Sequence, residues 1–79
     1  MTRTKSNGAE IRRLREAQGV GCPQLADKVG IDRRFLNKIE NGLQDGSPAT
    51  RLKIAQALGV DLTQITYTVP TQRRAEQAA

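Results

Sequence analysis

The apolar pattern of this sequence implies an all-α domain of five short helices, with one strand-like segment near the C-terminus. Three observations carry that reading. Apolar residues recur at helical spacing in successive windows, and Gly, Pro and N-cap residues punctuate the chain between them. Near the end of the chain, Ile65, Tyr67 and Val69 alternate with Thr66 and Thr68 before Pro70.

The first helix is expected over Ala9 to Gln18, because Ile11 and Leu14 share one face and Gly19 follows directly. A glycine in that place takes a left-handed conformation at no steric cost. The second helix starts near Cys22 and Pro23, where the missing proline amide is harmless in a first turn, and runs to Gly30 with Leu25, Ala26 and Val29 inward. Asp32 is a good N-cap for the third helix, whose apolar stripe is Leu36 and Ile39 and whose end is Asn41-Gly42. After a loop from Leu43 to Ser47, Ser47 caps and Pro48 opens a fourth helix with Leu52, Ile54, Ala55 and Leu58 as its apolar contacts, ended by Gly59. Asp61 is read as the cap of a short fifth helix that includes Leu62 and Ile65.

The strand-like run from Ile65 to Val69 is β-branched and ends at Pro70. A single strand in a helical chain leaves backbone groups without partners, so it is expected to pair with another copy or stay extended. Residues 1–7 hold Thr, Ser, Asn, Arg and Lys without apolar periodicity and read as a mobile basic arm. Residues 8–66 read as the folded domain and 67–79 as a C-terminal extension, frayed helix at most from Thr71 to Ala79.

With 79 residues the chain forms one domain. It buries roughly 60% of its unfolded surface and has no room for a deep catalytic cleft. It contains no His and one Cys, which removes the common zinc-ligand sets, a disulfide framework and His-based acid–base chemistry. No enzyme activity, metal or cofactor is therefore expected. A lone Cys fits a reducing compartment, and no apolar run approaches the roughly 20 residues that span a bilayer, so a cytoplasmic, nucleoid-associated location is expected, away from membranes. Lys and Arg number 13 against 8 Asp and Glu, a net charge of +5, which admits a polyanion as partner. Phe35 and Tyr67 are the only aromatic residues, too few for a single-strand stacking surface.

The informative stretch is Leu25-Ala26, Val29-Gly30-Ile31, Leu36 and Ile39. Its spacing describes two short helices crossing steeply through a tight turn, with Ala26 small at their closest approach and Gly30 allowing the turn. The outer face of the second helix of that pair carries Arg33, Arg34, Asn37 and Lys38.

On these residues, together with Leu14-Arg15, Gly19, Ile39-Glu40-Asn41-Gly42 and Ile54-Ala55-x-Ala57-Leu58-Gly59-Val60, the chain resembles the Cro and phage-repressor (Xre-like) helix-turn-helix family. The resemblance covers roughly Ala9 to Leu62. It implies a five-helix phage-repressor-like domain that sets its third helix into the major groove of double-stranded DNA, as a homodimer on a palindromic operator. Carried over by residue, Arg33 and Arg34 reach base edges, and Asn37 and Lys38 contact bases or phosphate one turn on. Arg34 is the candidate for a bidentate contact to guanine. Phe35 either meets a thymine methyl or packs on the neighbouring helix. Arg15 and Glu40 match the family's ion pair between the first and third helices.

Three departures stand out. Where the family begins its second helix with a polar cap and a phosphate-touching Gln, this chain has Gly21 and Cys22, and that contact passes to Gln24 or to backbone amides. Cys22 and Gln24 thus join the expected DNA-binding set. Arg51 occupies a usually apolar place beside Leu52, which implies a shifted packing register for the fourth helix. The loop after the third helix lacks basic residues and holds Asp45.

The function expected is that of a repressor, with Leu62, Ile65, Tyr67 and Val69 carrying dimerisation. An antitoxin whose segment from Ile65 onward binds a toxin, with DNA binding as autoregulation, is the alternative.

Overall fold

In the computed structural model, which describes residues 2–70, the elements follow in the order β1 (Thr2–Ser6), α1 (Gly8–Ala17), α2 (Cys22–Val29), α3 (Arg33–Glu40), α4 (Pro48–Leu58), a 3-10 turn (Leu62–Gln64) and β2 (Thr66–Pro70). Side-chain caps define the helix starts. The Asn7 side-chain Oδ1 accepts the Glu10 amide at 3.3 Å, an Asp32 carboxylate oxygen accepts the Arg34 amide at 2.8 Å, and the Ser47 hydroxyl accepts the Thr50 amide at 3.1 Å. Gly30 reverses the chain between α2 and α3 with φ of 83°, a left-handed conformation that a side chain would strain.

The core is one cluster. Ile11 of α1, Leu25, Ala26 and Val29 of α2, Leu36 and Ile39 of α3, Ile54, Ala55 and Leu58 of α4, and Ile65 are all buried. α2 packs on both α3 and α4 while α1 packs on α3, so the short α2–α3 pair is held from two sides. Leu14, Val20, Cys22, Ile31, Phe35, Ala57, Val60 and Leu62 pack around the cluster with part of their surface exposed.

The five-helix expectation is corrected here. Among the described residues there are four α-helices and a two-stranded antiparallel sheet, and the fifth helix shrinks to the three-residue turn Leu62–Gln64. The Ile65 amide closes that turn on the Leu62 carbonyl, and the following β-branched residues extend the chain, as their side chains prefer. Their partner is the N-terminal segment. Thr2–Ser6, read as a mobile arm, pairs with β2 in the register Thr2–Pro70, Arg3–Val69, Thr4–Thr68, Lys5–Tyr67 and Ser6–Thr66. Residues 71–79, expected as a frayed helix, lie outside the described residues.

The register of α4 is likewise corrected. Arg51 faces inward, 9% exposed, while Leu52 is 46% exposed. The buried guanidinium is satisfied by the carbonyls of Gly46 at 2.9 Å and Asp45 at 3.4 Å, so among the described residues this inward cation has carbonyl partners and no carboxylate. Among the described residues, no helix is long and apolar enough to cross a membrane.

α1 and the C-terminal end of α3 meet without clearance. A Cβ on Gly8 would lie 2.2 Å from the Ile39 carbonyl oxygen and 2.5 Å from that of Glu40. Farther along α1, the Arg15 guanidinium donates to both Glu40 carboxylate oxygens, at 2.8 and 3.0 Å, and to the Val20 carbonyl at 3.0 Å. Side-chain exposures of 11% and 5% make this a nearly enclosed, bidentate pair. The hydrogen bonds that Arg15 donates to Glu40 raise its pKa above the ordinary value against the opposing effect of burial.

Two stability changes are expected, both read by thermal or urea unfolding. Gly8→Ala forces two helices apart at backbone contacts and costs about 1–3 kcal/mol. Glu40→Ala leaves the Arg15 cation enclosed without its counter-charge and costs about 3–5 kcal/mol.

Candidate nucleic-acid interface

α3 has two faces. Leu36, Ile39 and Glu40 are buried, while Arg33, Arg34, Asn37 and Lys38 are exposed at positions i, i+1, i+4 and i+5 of the outer side. The local reason is the cap. Asp32 turns the chain into the helix and takes the Arg34 amide, which starts α3 at Arg33 and sends the two arginine side chains into solvent in its first turn. Asn37 accepts a hydrogen bond from the Asn41 side-chain amide one turn on. An α-helix with its side chains is about 10–12 Å across, a size that a B-form major groove about 12 Å wide admits.

The start of α2 lies beside the start of α3. The Cys22 thiol approaches the Arg33 carbonyl at 3.9 Å, and the Gln24 side-chain carbonyl accepts the Gly21 amide at 2.6 Å. Gln24 is exposed next to that junction but is engaged in closing its own helix start. Phe35 is partly buried against the core, so packing takes at least part of its ring. The Arg33 and Arg34 side chains and the α2 start thus stand at one end of the α2–α3 pair.

The loop between α3 and α4 is braced from two sides. Asp45 accepts the Ser6 amide on its carboxylate at 3.1 Å and the Ser6 hydroxyl on its carbonyl at 2.5 Å, and Arg51 holds the next turn of chain. The acidic side chain is therefore spent on β1. Sequence reasoning missed Ser6 and Arg51 as the residues that shape this loop. Arg51 did carry a signal, because it stands at helical spacing with Ile54, Ala55 and Leu58. For Ser6 no local signal existed, since its partners lie 39 residues away.

The four residues assigned to dimerisation separate. Ile65 is fully buried in the chain's own core and offers nothing to a second copy. Leu62 is partly buried against that core, Val69 is partly buried, and Tyr67 is 45% exposed on β2. Tyr67 also lines an open depression with Ser6, Asn7, Glu40, Asn41 and Gly42, which puts the sheet beside the C-terminal end of α3.

Burial pushes the Cys22 thiol pKa up, reinforced by the Glu40 carboxylate and opposed by Arg15 and Arg33. A raised pKa keeps the unreactive thiol to higher pH, so less thiolate is present at neutral pH than for a free cysteine. Alkylation of the folded chain by iodoacetamide is accordingly expected to be slower than that of glutathione at pH 7.5, with a rate-versus-pH midpoint above the ordinary thiol value; a faster rate or a lower midpoint contradicts it.

A family model described as a helix-turn-helix domain matches residues 8–66. The propionyl-CoA carboxylase regulator of Cereibacter sphaeroides is 36% identical over 59 residues, which is 75% of this chain and 13% of that protein. The chain thus spans about an eighth of that relative's length. Among solved structures, the restriction-modification controller protein C.AhdI from Aeromonas hydrophila superposes with a TM-score of 0.70 at 33% identity, covering 72% of this chain and 86% of that one. SinR, the Bacillus subtilis master regulator of biofilm formation solved in complex with DNA, gives a TM-score of 0.67 at 30% identity, covering 71% and 90%. The tightly connected α2–α3 pair, its outward basic face and these matches place the chain in the Xre-type helix-turn-helix family of DNA-binding transcription regulators.

Proposed function

We propose that this protein is a repressor that reads double-stranded DNA in a sequence-specific way, as a homodimer on a palindromic operator. The observation that carries the reading is the outer face of α3, where Arg33, Arg34, Asn37 and Lys38 are exposed together above a buried apolar stripe. Arg33 and Arg34 are assigned to base edges, with Arg34 bidentate to guanine O6 and N7. Asn37 and Lys38 reach bases or phosphate on the next turn. Cys22 and Gln24 lie at the α2 start, where backbone amides and a helix dipole favour a phosphate.

The similar protein SinR is solved with DNA, which supports the groove-reading role. Two-fold symmetry matches a palindrome, because each copy then presents one α3 to one half-site. The antitoxin alternative rested on the alternating run from Ile65 to Val69. Ile65 lies in the core and β1 takes one side of β2, which leaves the outer edge of that run for any partner, and the homodimer is the preferred reading because two-fold symmetry also suits a palindromic site.

In vitro selection followed by binding measurements over a range of salt concentrations tests the proposal. A selected palindrome is expected to bind more tightly than random DNA, with affinity for both falling steeply as salt rises. Equal affinity for both overturns sequence specificity, and a flat salt dependence overturns phosphate contact. Arg34→Ala is expected to lose about 1–3 kcal/mol of discrimination at one base pair per half-site, whereas Lys38→Ala, if bound to phosphate, lowers the salt slope by about 1 across all sequences.

A further inference from the structure

We propose that two copies of this chain join along the free edge of β2, forming a four-stranded antiparallel sheet across a two-fold axis. The inference rests on the dimeric reading above and names the surface that makes the dimer.

Hydrogen-bond phase identifies that edge. The Asn7 amide donates to the Ile65 carbonyl at 2.8 Å, one step beyond the Ser6–Thr66 pair, so Asn7 and Ile65 stand at a bonded position. Bonded and non-bonded pairs alternate along an antiparallel ladder. Tyr67 and Val69 therefore turn their amides and carbonyls towards Lys5 and Arg3, while Thr66 and Thr68 turn theirs away from β1. Among the described residues, no backbone group of another element bonds to Thr66 or Thr68. Pro70 shares their phase, opposite Thr2, where its missing amide costs the β1 ladder nothing and ends the outward donor row at Thr68.

Charge and symmetry select the occupant. β1 carries Arg3 and Lys5, the kind of side chain that guards a strand edge, whereas no residue of β2 is charged. Pairing β1 with a second β1 opposes like charges. Pairing β1 with a second copy's β2 is head-to-tail and leaves further edges open, but β2 with β2 is self-complementary and closes as a dimer. A register centred on Tyr67 sets Thr66 against the partner's Thr68, so both outward amides and both carbonyls of each copy are satisfied, and the exposed Tyr67 rings become cross-strand neighbours. Every residue from Ile65 to Val69 is β-branched or aromatic, and a two-stranded ribbon is marginal alone in water, so added strands stabilise it.

Thr68→Pro removes one outward amide and leaves the β1 ladder intact. In sedimentation equilibrium of the full chain without DNA, up to about 100 μM, the wild type is expected to dimerise and Thr68→Pro to dissociate at least about tenfold more readily, with an unchanged far-ultraviolet spectrum. In the wild type, exchange of the Thr66 and Thr68 amides is expected to slow as concentration rises, while the Tyr67 and Val69 amides stay protected throughout. A wild type that remains monomeric over this range, a dimer unaffected by Thr68→Pro, or Thr66 and Thr68 exchange independent of concentration overturns the edge. A wild type that dimerises through β2 but binds no DNA supports the edge and overturns only the DNA-reading role.

Discussion

The nearly enclosed pair between Arg15 and Glu40 is the interaction on which the placement of α3 depends. Each partner alone carries a large desolvation cost, and the two are tolerable together because the fork of the guanidinium meets both carboxylate oxygens while a third bond takes the Val20 carbonyl. The pair joins the C-terminal part of α1 to the last residue of α3. Gly8 makes a second contact with the same end of α3 from the start of α1, through backbone atoms alone. Two contacts along α1 constrain the direction of α3 more tightly than one would, and the groove-reading role proposed for this helix requires its direction to be held.

The opposite end of α3 stays exposed because the ties are made elsewhere. Leu36 and Ile39 bury its inner stripe, Glu40 is taken by Arg15, and the loop that follows is held by Ser6 and Arg51. Arg33, Arg34 and Lys38 are left without an ion-pair partner among the described residues. Basic residues on α1 differ in this respect: Arg12 pairs with Glu16 and Arg13 with Glu10, where the hydrogen bond from Arg13 holds the Glu10 carboxyl below its ordinary pKa. The cations of α1 are thus neutralised by carboxylates, whereas Arg33, Arg34 and Lys38, like Lys28 on α2 and Lys53 on α4, form no ion pair among the described residues, so α3 presents three free positive charges on one surface.

Much of this was legible without coordinates. Cap residues, first-turn prolines and terminal glycines locate the four helices, because each supplies a local hydrogen bond or backbone conformation that the helix end requires. The two faces of α3 follow from helical spacing alone. Two readings failed for one reason, that a partner distant in sequence decided the outcome. Thr2–Ser6 has almost no apolar content and no signal of its own, yet it becomes a strand because β2 presents an open ladder beside it. Ile65 was assigned both to a fifth helix and to a dimer surface, but the core needed its side chain, and the chain extends directly after it.

What the sequence determined by itself was therefore local and periodic: where helices start and stop, which face of each is apolar, and that Arg33, Arg34, Asn37 and Lys38 share an outer surface. Tertiary structure decided what depends on contacts between distant residues. It turned the N-terminal segment into β1, drew Asp45 away from solvent towards Ser6, and turned Arg51 inward onto two carbonyls. The physical reason is that backbone pairing and burial of polar groups are satisfied by whichever partner the fold brings near, and a partner 39 residues away leaves no periodic trace in the chain.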